Sequence, residues 1–218
     1  MKNPVEKYYD KLAPVYDQAT AGPGAWTPPG YIAKELKAIG KKYDKALIVG
    51  VATGQDIETL DSIGVVKIDA VDVSGKMLAI AALKFPKVSF QKGDFMLLED
   101  FKENSYDLIV CSGTLEFVAD FEGFFEKCFK LLKKGGDLIV TYEPIILNHK
   151  IQREESSELG SEISKDWGIL GFVTHRHSPE EFLAVSQKAG FALQKAFKFI
   201  AYKKLGEDII YNFAHLKK

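Results

Sequence analysis

Apolar and polar positions along this chain alternate between a strand pattern and a helix pattern. Short apolar runs typical of buried parallel strands recur, and segments with helical spacing of apolar residues stand between most of them. Such alternation favours right-handed crossovers and a mostly parallel sheet covered by helices on both faces. The pattern predicts strands at 45–50, 65–71, 87–91, 106–112 and 136–142, and helices at 29–40, 55–63, 75–84 and 120–133.

The two ends of the chain depart from this alternation. Residues 4–18 have the spacing of an amphipathic helix, and a turn-rich loop follows at 20–30. Residues 147–176 are polar and poorly periodic, and the stretch is too long for a simple connection. It is therefore predicted to be a lid or a substrate-shaping insertion.

The last forty residues predict a helix and a hairpin. Ser178 has the features of a helix cap, with Pro179 and two acidic residues behind it. Two strands follow at 191–202 and 208–215, and a join of four residues makes them antiparallel. The predicted fold class is α/β: a Rossmann-like, doubly wound, mostly parallel seven-stranded sheet with a C-terminal antiparallel hairpin, in three α/β/α layers.

The composition of the chain limits the binding partners and the cellular compartment that we expect for the protein. The chain has 218 residues and a net charge of -1, so no broad electric field recruits nucleic acid or an anionic membrane. No apolar run approaches the roughly 20 residues of a membrane span, and the N-terminus lacks the apolar core of a signal peptide. Cys111 and Cys128 have core-like neighbours and are expected to be reduced structural thiols. These features predict a cytoplasmic monomer or homodimer without a membrane partner or a strong nucleic-acid signal.

The most informative stretch is the turn that ends the first strand. An apolar run over 46–49 leads into five small or aliphatic residues, Gly50, Val51, Ala52, Thr53 and Gly54. A phosphate-binding loop would need a lysine after Gly54, and a dinucleotide fingerprint would need a further glycine where Gln55 stands. Neither motif is present, although the strand, turn and helix opening still predict a ligand at this edge of the sheet.

Acidic residues directly after the turn disfavour ligands that contain phosphate groups. Asp56 and Glu58 lie in the first turn of the predicted helix, where a pyrophosphate would otherwise use the helix dipole. Two carboxylates there would repel phosphate groups. A ligand that has an ammonium group and no phosphate fits better, and S-adenosylmethionine is such a ligand.

Two further strand ends offer groups suited to an adenosyl moiety. Asp72 ends the second strand, 22 residues after Gly50, and can accept hydrogen bonds from both ribose hydroxyls. Met77, one turn into the next helix, can lie against an adenine face. After the third strand, Asp94 could accept from the adenine amino group while Phe95 packs on the ring. Asp94 could equally cap the short segment that follows it.

With these residues in place, the chain resembles the class I S-adenosylmethionine-dependent methyltransferases, and more narrowly the small single-domain members that act on small molecules. The resemblance rests on 46–54, 71–78 and 93–94, on the fourth and fifth strands, and on 8–17, which is similar to a cap helix that closes over the cofactor. It implies S-adenosylmethionine as cofactor, S-adenosylhomocysteine as product and in-line displacement at the sulfonium methyl group. Ile48, Ala52 and Phe117 depart from the family pattern.

The resemblance also implies a division of the chain and a set of site residues. Within one domain over 1–218, it implies N-terminal cap helices at 1–40, a cofactor-binding core at 45–143, a lid insertion at 144–177 and a C-terminal helix and hairpin at 178–218. The implied cofactor residues are Tyr16, Gly50, Val51, Ala52, Thr53, Gly54, Asp56, Asp72, Val73, Met77, Asp94, Phe95 and Ser112.

Candidate catalytic residues lie on the side of the acceptor. Glu143 could orient an amine or act as a base, or it could pair with a lysine. Tyr16 could hydrogen-bond the carboxylate end of the cofactor or pack in the core, and His149 is a weaker candidate base. His175 and His177 are predicted to be surface or lid residues, and no metal site is predicted. RNA or protein methylation and a catalytically silent cofactor sensor stay open as alternatives.

Overall fold

The computed structural model describes residues 3–22, 24–146, 174–204 and 206–218. Seven strands in these residues form one sheet in the order β3-β2-β1-β4-β5-β7-β6. The first five are parallel to one another, and β7 is antiparallel to both of its neighbours. The strands are β1 (Lys45–Val49), β2 (Lys67–Asp72), β3 (Ser89–Lys92), β4 (Tyr106–Ser112), β5 (Leu132–Tyr142), β6 (Ala192–Lys204) and β7 (Glu207–Lys217).

Helices cover both faces of this sheet. Short 3-10 turns at Ala13–Val15 and Leu115–Phe117 join some of the elements. The predicted α/β fold with a C-terminal antiparallel hairpin is confirmed. The α-helices of the described residues are α1 (Pro4–Leu12), α2 (Tyr16–Ala19), α3 (Pro28–Ile39), α4 (Gln55–Ser62), α5 (Gly75–Lys84), α6 (Phe121–Leu131) and α7 (Pro179–Lys188).

Two apolar clusters, one on each face of the sheet, form the core. In β1, Leu47 and Val49 belong to one cluster while Ala46 and Ile48 belong to the other. All four side chains are buried, as expected for a central strand of a parallel sheet with helices on both faces. The apolar run that predicted this strand thus follows from its position between two layers.

Strand order places a crevice at one edge of the sheet. The chain runs outward from β1 through β2 to β3 and then returns to add β4 on the other side of β1. The loops after β1 and β4 therefore diverge, and ligands bind at such a switch point in open α/β sheets. The glycine turn follows β1 directly, so the fold brings it to this crevice.

The N-terminal segment is divided rather than continuous. One helix was predicted over 4–18, but α1 ends at Leu12 and a 3-10 turn precedes α2. Pro14 lies in that turn, and a proline without an N–H group cannot continue the α-helical hydrogen bonds. We call residues 4–19 the N-terminal cap. Side-chain hydrogen bonds connect it to the sheet edge, among them Ser74 Oγ to Asp10 Oδ1 at 2.7 Å.

Several predicted boundaries shift by a few residues. β5 begins at Leu132, four residues before the predicted start, because Leu132 already pairs with Tyr106 beyond a bulge in the register. Most of the predicted lid at 144–177 and the candidate base His149 lie outside the described residues. In the part of the chain that the structure describes, no helix is long and apolar enough to cross a lipid bilayer.

Candidate active site

A cavity of about 400 Å³ opens at the carboxyl ends of the parallel strands. This volume falls within the range of small-molecule sites. The loops after β1 to β5, the N-terminal cap and the β6–β7 hairpin contribute its walls. The predicted site residues that line it are Tyr16, Gly50, Ala52, Asp72, Val73, Asp94, Phe95, Ser112 and Glu143.

The apolar face of the N-terminal cap is turned toward this cavity. The residues predicted to share that face line it, with the exception of Val15, which is 43% exposed. The buried side chains on the opposite side of α1 are the acids Glu6 and Asp10. Lys92 pairs with Glu6 at 2.8 Å, so charged contacts help to hold the cap to the sheet edge. The cap residues that line the cavity include Val5, Tyr8, Tyr9, Leu12 and Tyr16.

Backbone geometry explains the small residues of the turn after β1. Gly50 has φ +76°, and a Cβ on it would lie 1.9 Å from Oγ1 of Thr114. A side chain at this position is therefore excluded. Ala52 adopts a left-handed conformation, with φ 46°, which costs an alanine more than a glycine. Ala52 nevertheless keeps the turn intact, since its amide donates to Oδ2 of Asp72 at 2.9 Å.

The carboxylate of Asp72 is held by backbone amides at the end of β2. Besides the Ala52 contact, its Oδ1 accepts from the Ser74 amide at 2.8 Å. Burial raises the pKa of Asp72, and the amides partly offset the rise. Each carboxylate oxygen has a second lone pair. The group can therefore also accept hydrogen bonds from hydroxyls of a ligand in the cavity.

For Asp94, the sequence left open a contact with the ligand beside Phe95 and a capping role in the segment that follows. Both residues line the cavity, where they can contact a ligand. Oδ1 of Asp94 also accepts from the Met96 amide at 2.9 Å, so the side chain caps the following turn as well. Phe95 is nearly fully buried and packs against Phe124 in the core.

Three of the predicted cofactor residues lie behind the walls of the described cavity. Thr53 is fully buried and its hydroxyl donates to Asp17 of the cap at 2.6 Å. Gly54 has φ +102° at the start of α4, where Phe85 leaves no room for a Cβ. Met77 is enclosed by protein, with no exposed surface, so the structure does not bring it to a ligand in this cavity.

Asp56 faces a second, smaller cavity that adjoins the turn. This cavity has a volume of about 20 Å³ and is also lined by Tyr16 and Val51. Space for one water molecule needs roughly 10–15 Å³, so a single ammonium group also fits. Burial raises the pKa of Asp56 to about 7. Its Oδ1 has no hydrogen-bond partner among the described residues, and the carboxyl group is only partly ionised at neutral pH.

An ion pair lies on the other side of the cavity, after β5. Glu143 accepts a hydrogen bond from Arg176 at 3.0 Å, and both side chains are more than nine-tenths buried. The carboxylate thus pairs with an arginine rather than with the lysine considered from the sequence. The neighbouring His177 stacks on Phe121, with ring centroids 3.6 Å apart, and His175 donates its backbone N–H to the carbonyl of Glu116.

Glu116 is a site residue that the sequence did not single out. It follows β4 in the 3-10 turn, is 4% exposed and lines the cavity. Its Oε1 accepts a hydrogen bond from the Glu143 amide, while its Oε2 is buried and has no partner among the described residues. Burial raises the pKa of Glu116 to about 7. The sequence carries one signal for it: an acidic residue just after a strand end that points to the crevice.

Aromatic side chains surround the part of the cavity near Glu116. Tyr9 of the cap meets Phe117 edge to face, and Trp26 meets Tyr211 in the same way, with centroids 5.7 and 5.3 Å apart. The ring of Trp26 lies over Gly113, where a Cβ would approach it to 2.6 Å. In the described residues, no three His, Cys, Asp or Glu side chains are grouped so that they could hold a metal ion.

Comparisons with known proteins agree with this geometry. Residues 47–140 match the family model of a methyltransferase domain. The crystal structure of an S-adenosylmethionine-dependent methyltransferase from Methanosarcina mazei has a TM-score of 0.74 to this chain at 16% identity, covering 84% of this chain and 96% of that one. The matched residues span β1 to most of β5. Residues 47–140 thus have the sequence of a methyltransferase domain, and the likeness to the solved structure shows the fold of an S-adenosylmethionine-dependent methyltransferase.

Curated relatives of this methyltransferase domain differ in their reactions. Demethylmenaquinone methyltransferase from Chlorobaculum parvum is 23% identical over 158 residues, which are 70% of this chain and 65% of that protein. Polyamine aminopropyltransferase from Alkaliphilus oremlandii is 33% identical over 121 residues, which are 49% of this chain and 42% of that protein. The chain thus spans less than two thirds of the length of either relative.

The cofactor of the family is S-adenosylmethionine, and the described residues fit it. Asp72 offers free lone pairs to hydroxyls, and the small cavity beside Asp56 offers an unpartnered buried oxygen to an ammonium group. Gly50 lines the same cavity and lets the turn pass close to Thr114. We call the wall of the cavity after β1, β2 and β3 the donor side, and its wall after β4 and β5 together with the hairpin the acceptor side.

Proposed function

We propose that this protein transfers a methyl group from S-adenosylmethionine to a small-molecule acceptor and releases S-adenosylhomocysteine. One observation carries the proposal. The cavity that contains the amide-held carboxylate of Asp72 continues without a break to the buried polar groups Glu116 and Glu143. A donor and an acceptor can therefore lie in one continuous cavity of about 400 Å³.

On the donor side, each proposed contact uses a group already fixed by the fold. Asp72 would accept from the ribose hydroxyls, and Asp94 from the adenine amino group beside Phe95. Asp56 and the turn carbonyls would hold the ammonium group, and Tyr16 of the cap would donate to the carboxylate. These roles suit the residues, since the carboxylates of Asp72 and Asp94 keep lone pairs beside their amide partners and Oδ1 of Asp56 has no partner among the described residues.

On the acceptor side, the residues orient a nucleophile and exclude water. When bound, the cofactor supplies an electrophilic methyl group attached to a sulfonium. Alignment of the reacting atoms can then provide much of the rate, because a sulfonium is a good leaving group. Arg176 holds the Glu143 carboxylate in place, and the aromatic rings around it remove water from the acceptor.

We also infer a reducing compartment, with the cytoplasm as the simplest case. Cys111 and Cys128 are both free and fully buried. Burial raises the pKa of the Cys111 thiol well above its usual value, which keeps it protonated and unreactive. Two such thiols fit a protein that is never exposed to disulfide-forming conditions.

Two measurements test the proposed function. Calorimetry with S-adenosylmethionine and with NAD should show binding of the former only, and absence of S-adenosylmethionine binding would overturn the proposal. Incubation with a donor labelled in the methyl group and with fractionated metabolite pools should then transfer label to a small molecule. Tight donor binding without any transfer would instead identify a cofactor sensor.

A further inference from the structure

The acceptor side contains a buried carboxylate oxygen that could accept a hydrogen bond from a ligand. Oε1 of Glu116 is fixed by the Glu143 amide, and the Tyr211 hydroxyl lies beside the carboxyl group. Oε2 is shielded from solvent and makes no hydrogen bond of normal geometry to the described residues. The residue is 4% exposed and lines the cavity. A buried acceptor without a hydrogen bond costs free energy, so the empty site is arranged for a ligand that brings a donor.

Charge on the acceptor side favours a cation as that ligand. Arg176 already pairs with Glu143 at 3.0 Å, and Lys203 pairs with Asp208. No cationic side chain of the described residues pairs with Glu116. A ligand that carries a phosphate or carboxylate would meet the carboxyl groups of Glu116 and Glu143 here, although Lys204 also lines the cavity at the hairpin.

Aromatic rings near Glu116 also suit a cation with an apolar body. Trp26, Tyr211, Tyr9 and Phe117 lie around the same space, in two edge-to-face pairs. The faces of such rings attract an ammonium group, and the attraction increases when water is excluded. Their edges and faces also pack well against an aryl or alkyl substituent.

We propose that the methyl acceptor is an amine whose N–H group binds Oε2 of Glu116, and that Glu116 is the general base of the reaction. This deepens the proposed function and rests on it. The ammonium form of the acceptor gives one proton to Oε2. The freed nitrogen lone pair forms the new N–CH₃ bond, and the electron pair of the broken S–CH₃ bond stays on sulfur as the thioether. The proton on Glu116 then passes to solvent as product leaves.

The environment of Glu116 suits a base that works near neutral pH. Burial raises the pKa of this carboxyl group to about 7, where it can both accept and release a proton. Glu143 is paired with the guanidinium of Arg176, whereas no cationic side chain of the described residues pairs with Glu116. The titratable groups that face Glu116 from the surrounding elements are Tyr9, Cys111, Tyr142, Glu143 and Tyr211.

A first test compares amines with matched alcohols. We would measure binding of benzylamine and 2-phenylethylamine, and of benzyl alcohol and 2-phenylethanol, by calorimetry on the protein saturated with S-adenosylhomocysteine. The amines should bind at least tenfold more tightly than the alcohols. Equal binding of amines and alcohols, or no binding of either amine, would overturn the proposal. S-adenosylhomocysteine binding in the same experiment separates this outcome from failure of the proposed function.

A second test needs no variant. At pH 7 the Glu116 carboxyl group is close to its pKa, so about half of the protein molecules carry a proton on it. An ammonium ion binds the ionised form, so its binding should release about half a proton per site. Amine titrations in two buffers of different ionisation enthalpy measure this number. Zero proton release would contradict the assignment of Glu116 as the partner of the amine.

Glu116→Gln provides the matched substitution. The amide oxygen of the glutamine can still accept from the Glu143 amide, so only the charge is removed. The variant should bind S-adenosylhomocysteine as the wild type does, bind the amines at least tenfold more weakly and release no proton. Glu122→Gln, at an exposed glutamate that pairs with Lys188, is the control and should match the wild type. Unchanged amine affinity in Glu116→Gln would refute the proposal.

Discussion

At the scale of single residues, the turn after β1 contains strain that a glycine would relieve. Ala52 has φ 46°, a conformation that costs a non-glycine residue about 1–2 kcal/mol. Ala52→Gly removes this cost. It also increases the conformational entropy of the unfolded chain, which favours unfolding by about 0.4–1 kcal/mol. The substitution should therefore leave the free energy of unfolding unchanged or raise it by up to about 1.5 kcal/mol, as measured by urea unfolding. A decrease in the free energy of unfolding by more than about 1 kcal/mol would contradict this. It would show that contacts of the alanine methyl group stabilise the fold by more than the backbone strain destabilises it.

Glu116 also determines how the stability of the ligand-free protein depends on pH. Its pKa is about 7 in the folded protein and near the ordinary 4.5 in the unfolded chain. The folded state therefore binds more protons between these values, and stability falls as pH rises from about 4.5 to about 7. Glu116→Gln should be more stable than the wild type by about 2–4 kcal/mol at pH 8, with little difference at pH 4.5.

Urea unfolding of both proteins at the two pH values measures this difference. Glu122→Gln serves again as the control and should follow the wild type at both. A Glu116→Gln variant that is less stable than the wild type at pH 8 would mean that the carboxylate has a stabilising partner in the fold.

Residues that carry the donor side could be predicted from sequence, whereas Glu116 could not. Gly50 and Asp72 were identifiable because strand ends and their spacing determine which backbone positions share an edge. The chemical importance of Glu116 comes from its burial and its unpartnered oxygen, and both depend on contacts with segments distant in sequence. Met77 was expected at the cavity on spacing alone, but packing encloses its side chain.

At the scale of elements, the N-terminal cap is connected to the glycine turn by side-chain hydrogen bonds. Thr53 Oγ1 donates to Asp17 of the cap at 2.6 Å. Directly beyond these segments, Gln55 at the start of α4 donates to Thr20 at 2.7 Å. Since the cap also supplies Tyr9 and Tyr16 to the cavity, these bonds couple closure of the cavity to the turn. The amphipathic pattern of the cap was predicted, but its apolar face covers the cavity more than the core.

The hydrogen bond from Thr53 offers a test of this coupling. Thr53→Val keeps the shape of the side chain but leaves the Asp17 carboxylate without one of its donors. A hydrogen bond to a partly exposed charged group is worth about 1 kcal/mol, so S-adenosylhomocysteine should bind about three- to tenfold more weakly. Thr59→Val, whose hydroxyl bonds within α4, is the control and should bind normally. Calorimetry measures both, and equal affinity for Thr53→Val would mean that the cap closes without this bond.

At the scale of the whole molecule, a buried charge network joins the N-terminal and C-terminal parts of the chain. His215 on β7 lies between Glu35 of α3 and Asp137 of β5, with each ring nitrogen 3.1 Å from a carboxylate oxygen. Burial opposes ionisation of Asp137, but hydrogen bonds from His215 and Lys41 outweigh it and lower the pKa of Asp137. This network lies at the amino end of β5, at the opposite end of the strand from Glu143.

Removal of the histidine should therefore destabilise the fold without touching the site. His215→Ala leaves two buried carboxylates whose remaining partners are Lys195 for Glu35 and Lys41 and the Tyr43 hydroxyl for Asp137. It should lower the free energy of unfolding by about 2–4 kcal/mol. Lys188→Ala, in an exposed pair with Glu122, should leave stability nearly unchanged. Urea unfolding compares the two, and equal stabilities would contradict a structural role for the network.

The central claim is that this fold binds S-adenosylmethionine through the carboxylate at the end of β2. Calorimetric titration of Asp72→Ala with S-adenosylhomocysteine tests it most directly, with Asp61→Ala, at an exposed position of α4, as the control. The account predicts that Asp72→Ala weakens binding by at least tenfold while Asp61→Ala binds as the wild type does. Unchanged affinity in Asp72→Ala would remove this residue from the site and contradict the account.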